Sequence, residues 1–437
     1  TIGGEAAASS AVDDAFNVDG YQLGLGDRAV GNLKMELAPK VYQAGADFML
    51  FVGANKTDPG FWFKVHSAVG VMAIDPKLSE SGTVGAVHDA ANSYAAGAFG
   101  DSAAIAEANA YKTVAEAYKA TKAISTNYKK LGYGRLDSKQ TTKVKFGDIE
   151  ASLGYNFIAD EDKVFGLGLR VAIPTANKPK GDYIMEPIFG HGGNWGLGGE
   201  LFAKATIWSS DESDRNLNFF PDGYVSHLFK ADQTRSFDLT DNELGSRYLL
   251  VAKYKNATND IVDTASTGAG TGSSFLSASQ FDNEVCNLIN YSTLPCRSTV
   301  PVEGSVAVLF DYNHDNWNVG LGAEFWGAAQ EKLTLTGTLN GNLVILGRQV
   351  VRAALVSSDA DDRGYCQPKA TMTSMLAPAA VDVGEATNGI KYAANSSSKI
   401  KTADLNVASS SNKARHSAKV FASAGYKWSD CNYCPFI

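Results

Sequence analysis

The sequence predicts an all-β protein: a closed antiparallel transmembrane β-barrel of about 12 to 14 strands, with long loops and one helical insertion. Three observations carry this. Between Ile149 and Ile173, apolar and small or polar residues alternate with a period of two on both sides of the acidic turn Ala159-Asp160-Glu161-Asp162-Lys163. Successive strand side chains point to opposite faces, so this stretch reads as a hairpin with one apolar face and one polar, glycine-rich face. Lipid outside and water inside demand that arrangement. Second, no run approaches the roughly 18 to 20 apolar residues of a membrane helix, and barrel strands need none. Third, the chain holds 43 glycines but only 12 prolines, which suits long, tightly packed strands.

Taken in order, residues 1–30 are rich in Ala, Ser, Gly and Asp and read as an N-terminal arm or inward-folded segment. The barrel domain is expected over 31–428. Alternation begins at Leu33, Met35 and Leu37; Ala46–Ala54 and Phe61–Ile74 follow as strands around a Pro-Gly turn. In the latter strand His66 faces water. Residues 75–142 interrupt the pattern as a helical loop insertion. Its helix is expected over Asp101–Ser125, where Ile105, Tyr111, Val114 and Tyr118 recur at helical intervals and Asp101 or Ser102 supplies the cap.

Beyond the hairpin come a loop with Gly190-His191-Gly192-Gly193 and a strand over 195–208. Further strands are expected over 217–229, 246–254, 305–312, 317–328, 333–355, 399–409 and 416–428, with long loops over 256–300 and 357–395. Residues 429–437 form a cysteine-containing turn or tail. Either a closing strand follows Ile437, or 416–428 closes the barrel and the tail is a periplasmic appendage.

On this parity Leu153, Tyr155, Leu167, Leu169, Leu197 and Ile207 face lipid, with Trp195, Trp317 and Trp428 in the interfacial aromatic girdle. Glu150, Arg170, Glu200, Lys204 and Glu324 face the interior as pore-lining candidates. Both signs occur among them, so strong ion selectivity does not follow. Trp62, Trp208 and Trp326 fall on the wrong parity and require bulges, subunit contacts or an interior position.

The net charge of −8 and the lack of a basic stripe exclude nucleic acid as the main partner. No cofactor, metal site or catalytic constellation is expected. The Gly-x-Gly pieces lie inside strands, so they are not phosphate loops. Asp359-Ala360-Asp361-Asp362 reads as a solvated acidic loop rather than a calcium site. Of five cysteines, Cys286 and Cys296 are spaced to close a small disulfide ring in an oxidising compartment. Cys431 and Cys434 pair locally, or one of them reaches Cys366.

The hairpin over 149–173 with its ending Ile173-Pro174-Thr175, and the strands that begin at Trp195 and Trp317, resemble Gram-negative outer-membrane β-barrel proteins. More narrowly, they resemble porin-like barrels of intracellular or amoeba-associated bacteria. The likeness covers about two-thirds of the chain as strand texture. It implies a closed barrel in contact with outer-membrane lipid, passive passage of small polar solutes, no enzymatic activity and a homo-oligomer, often a trimer. Cysteines are commoner here than in ordinary porins, and the last residues do not alternate. Two other readings fit the same alternation: a structural surface barrel or adhesin in a disulfide-linked lattice without an open pore, and a soluble β-sandwich of capsid or lectin type.

Overall fold

The computed structural model describes residues 2–3, 18–26, 34–53, 58–82, 92–94, 99, 105–106, 108–136, 139–210, 215–254, 281–348, 364–366, 372 and 399–426. The chain is mostly strand. Nine long strands form one antiparallel meander: β1 (Lys40–Gly53), β2 (Gly60–Asp75), β3 (Ile149–Ala159), β4 (Lys163–Ile173), β5 (Gly196–Ser209), β6 (Arg215–Ser236), β7 (Thr293–His314), β8 (Trp317–Ala328) and β9 (Arg415–Tyr426). Each pairs with the next along the chain, and three short segments bring the sheet to twelve strands.

The expected hairpin is present to the residue, with Ile149 opposite Ile173 and Gly154 opposite Gly168. Closure is not. The sheet is a curled half-barrel, and no described strand pairs with the outer edge of β1 or β9. In a nine-strand meander the first and last strands run the same way. An all-antiparallel closure therefore cannot be made by these two edges alone.

Three expected barrel strands lie elsewhere. Leu250–Tyr254 and Asn342–Arg348 sit beside each other in a separate five-stranded sheet, with Phe281–Asn287, Tyr128–Lys129 and Gly364–Cys366. Residues 399–409 are mostly short 3-10 turns. The reason is visible in composition. Leu249-Leu250-Val251-Ala252 and Leu343-Val344-Ile345-Leu346 are continuous apolar runs, buried on both faces, whereas a sheet between lipid and water alternates.

The connections are strongly asymmetric. At one end β1–β2, β3–β4, β5–β6 and β7–β8 join through the short connections 54–59, 160–162, 210–214 and 315–316. At the other end lie the long connections 76–148, 174–195, 237–292 and 329–414. Their described residues pack against one another over the loop end and build the main hydrophobic core, with Tyr111, Val114, Leu249, Val285 and Leu343 fully buried. Part of the expected N-terminal arm joins them. Tyr21, Leu23 and Leu25 are buried there, and Gln22 accepts a hydrogen bond from Leu250 N (2.6 Å) and, through its carbonyl, one from Asn287 Nδ2 (2.9 Å).

The predicted 25-residue helix shrinks to Val114–Lys119. Thr113 caps it by accepting from Glu116 N (3.1 Å), and Ala120 ends it in the left-handed region at φ 52°. Asp101 and Ser102 lie outside the described residues. Cys286 and Cys296 do not pair: both are free and buried. Cys286 stands opposite Val251 in the loop-end sheet, while Cys296 stands opposite Gln233 in the barrel sheet, so ten residues of separation place them in different layers. Burial pushes the Cys286 thiol up. Cys431, Cys434, Trp428 and the acidic run 359–362 lie outside the described residues, and only the backbone of Cys366 is described, in its strand.

Candidate functional site: the concave face of the sheet

Parity sorts the two faces as period two requires. On the convex face Leu153, Leu167, Leu169, Leu197 and Ile207 are exposed, and the apolar surface continues through Val225, Val306, Phe310, Leu321, Phe325 and Val420. Phe61, Tyr155 and Phe157 cluster at the turn end, with ring centroids 5.1 and 5.3 Å apart, and Tyr155 is half-buried among them. Trp317 joins Tyr426 at the same end (4.9 Å), while exposed Trp195 marks the loop end. A bulge between Thr206 and Trp208 sets Trp208 opposite Leu217, which returns its exposed ring to the convex side.

Trp62 takes the interior. It lies across two strands at the positions where Gly154 and Gly168 lack side chains; a Cβ there would sit 2.1 and 2.5 Å from the indole. Phe51 stacks on the ring from β1 (6.0 Å) and Phe202 meets it from β5 (5.4 Å). Phe51 and Phe202 also touch, at 6.4 Å, so the curl brings β1 and β5 together over the three strands between them.

Next to these rings, toward the loop end, runs a lattice of charges. His66 lies between Asp47 (2.6 Å) and Glu150 (3.3 Å); Glu150 accepts from Arg170 (2.5 Å). Glu200 sits 2.7 Å from Lys64 and 3.8 Å from Arg170, paired by charge proximity without a well-directed hydrogen bond. Arg170 also lies over the Tyr224 ring, 3.8 Å from its centroid. The structure thus brings together three of the expected pore-lining residues, Glu150, Arg170 and Glu200. They are nearly sealed, with side-chain exposures of 17, 13 and 4%. Lys204 stands apart at the turn end, where its Nζ donates to the Glu161 carbonyl (3.1 Å).

Glu324 lies on the other half of the trough. It accepts from Ser305 on β7 (3.0 Å) and pairs with Lys419 on β9 (3.1 Å), with side-chain exposures of 28 and 63%. Farther toward the turn end an amide ladder crosses β5 to β8: Thr206 donates to Asn218 (2.9 Å), Asn218 and Asn313 donate to Asn216 (2.7 and 2.9 Å), and Asn318 donates to Asp311 (2.5 Å).

At the loop end the trough opens into a cavity of about 920 Å³ between sheet and loops. Its walls carry Trp326, Glu303 and Arg415 from the sheet and His191, Arg235 and Glu331 around them. Trp326 is thus interior, with the Arg415 guanidinium 5.6 Å from its ring centroid. Arg235 pairs with Glu331 (3.3 Å); Arg415 makes no ion pair among the described residues.

His191 ties the 174–195 connection down. Its Nδ1 is 2.6 Å from Asp148 at the start of β3, and its Nε2 is 3.0 Å from Glu303 on β7. Gly190, at φ 113°, lets the backbone pass Asp148, where a Cβ would fall 2.7 Å from the carboxylate. Burial works to lower the His191 pKa, but the hydrogen bonds and charges of Asp148 and Glu303 outweigh it and raise the pKa to about 10. A raised pKa means that the tie contributes in full below the ordinary histidine value of 6.5 and is lost as pH rises through 10. His191→Gln is expected to destabilise the protein by about 3–5 kcal/mol near pH 6, with both carboxylates deprived of their counter-charge. That difference from the parent should shrink steadily up to pH 10 in paired thermal melts.

Sequence alone does not mark Lys64, His66 and His191 as interacting residues. For Trp62 a signal is present, since a tryptophan on the interior parity needs glycines opposite it. His191 stands in the sequence only as part of a glycine-rich loop, and its partners are 43 and 112 residues away. No protein-family model matches the chain, and no curated protein matches it.

Proposed function

We propose that the chain spans a bacterial outer membrane with its convex face to lipid and serves as a porin-type channel for passive diffusion of small hydrophilic solutes. The observation that carries this is the convex face. Leu153, Leu169, Val225, Val306, Leu321 and Val420 are 54–79% exposed on six strands of one sheet. Exposed apolar residues aligned on one face of neighbouring strands, rather than scattered singly, support a face that contacts lipid or protein. Its aromatic border at the turn end and the polar concave face complete the pattern of a lipid-facing strand array. Short connections on one side and long ones on the other support an orientation with the turn end in the periplasm and the loop end outside. In lipid the outer edges of β1 and β9 need further strands, because unpaired backbone groups cost several kcal/mol each. A homo-oligomer, with the trimer as first expectation, covers part of the convex face.

A structural barrel without an open pore is the second reading, favoured by the sealing of the trough between β1 and β5. A soluble sandwich needs a second sheet on the convex face, and among the described residues none covers it.

The test is extraction and reconstitution. The full chain should require detergent, change gel mobility on heating, and make vesicles permeable to a small neutral sugar. Solubility without detergent overturns the membrane reading; membrane insertion without permeability selects the structural one.

A further inference from the structure

We infer that solutes cross along β6–β9 rather than along β1–β5, and that Lys419, Glu324 and Arg415 set the charge preference of the passage. This rests on the channel reading above and assigns its lining.

The two halves of the trough differ in kind. Between β1 and β5 the cross-section is filled. Trp62 is 1% exposed, Phe51 and Phe202 meet over the intervening strands, and Lys64 reaches from β2 to Glu200 on β5. A solute entering there would have to separate oppositely charged, largely buried partners and leave a buried charge uncompensated. Glu150, Arg170 and Glu200 therefore hold the curl of the sheet and do not touch the solute.

From β6 to β9 the charged groups Asp222, Glu324, Arg415 and Lys419 are accessible on the concave side, and the polar groups are arranged in levels. The cavity of about 920 Å³ has Arg415 on its wall, stacked beside Trp326. Toward the turn end Glu324 and Lys419 follow on adjacent strands, directly opposite each other. Last comes the Asn216, Asn218, Asn313 and Asn318 ladder around Asp311. Such a lining offers donors and acceptors at every level, and Arg415 and Lys419 stand against Glu324 and Asp222, two cations to two carboxylates. It fits small neutral, hydrogen-bonding solutes and gives little preference between anions and cations, because fixed charges at a constriction select by their uncompensated sign.

The experiment is the reversal potential across a planar bilayer holding the reconstituted full chain in a potassium chloride gradient. The parent should pass both ions comparably. Lys419→Glu should raise the potassium-to-chloride permeability ratio about threefold or more, with Arg415→Glu acting in the same direction and Lys419→Gln by less. His66→Gln, in the filled half, should leave the ratio unchanged. Heat-dependent gel mobility confirms that each variant is assembled. An unchanged ratio in assembled Lys419→Glu and Arg415→Glu overturns the assigned route, as does a shift in His66→Gln of the same size. A parent without conductance overturns the channel reading itself, a result distinct from a conducting parent with insensitive variants.

Discussion

Leu169→Arg is expected to destabilise the membrane-assembled protein by about 2–4 kcal/mol, as for an arginine near the bilayer midplane on the lipid face. Leu169 lies in the middle of β4, 59% exposed on the convex side, between Leu153 on β3 and Gly199 on β5. None of these neighbours offers a counter-charge, so on the proposed lipid face a guanidinium there would have no partner. The matched concave substitution is Ala307→Arg. Ala307 stands between Asp222 and Glu324 in the register, where a cation meets carboxylates and should cost much less. The measurement is the denaturant midpoint of the heat-modifiable form in detergent or lipid. Equal losses for both variants would mean that the two faces see the same medium, and the lipid assignment would fail.

The contrast between Leu169 and Ala307 also separates what is legible in the amino-acid sequence from what is not. Side-chain parity is local: the alternation of Leu167, Leu169 and Val171 with Gly168 and Arg170 fixes two faces without knowledge of partners. The hairpin register and the five exposed aliphatic positions of the convex face follow from it. The number of barrel strands does not. Leu250–Tyr254 and Asn342–Arg348 are strands by composition, yet which sheet they join depends on contacts with Tyr128 and Phe281, far away in sequence. The charged lattice is half legible for the same reason. Glu150, Arg170 and Glu200 stand out as single charges on a small-residue face. His66 joins them because β2 pairs with β3, and Lys64 because the curl brings β2 near β5. The disulfide expectation fails on a related point, since ten residues of chain between Cys286 and Cys296 allow a ring but do not require one.

Gly154→Ala should be strongly damaging, although alanine ordinarily suits a strand better than glycine. The added Cβ would lie 2.1 Å from the Trp62 ring and 2.5 Å from the Leu167 carbonyl oxygen. The ring cannot swing aside, because Phe51 stacks on it and Phe202 meets its edge. The backbone oxygen belongs to the β3–β4 ladder and cannot move without breaking it. Overpacking of this kind costs about 1–3 kcal/mol, with the upper part of that range expected here. Gly199→Ala is the control: it lies on the convex face with its nearest foreign atom 3.6 Å away, and should be close to neutral. Trp62→Ala empties the site and should cost about 3–5 kcal/mol. Once the indole is gone, part of the Gly154→Ala cost is removed with it, so the double variant should be more stable than the sum of the single losses by about 0.5–3 kcal/mol. Additive losses would show that Trp62 does not rest on Gly154, and the filled half of the trough would lose its central element.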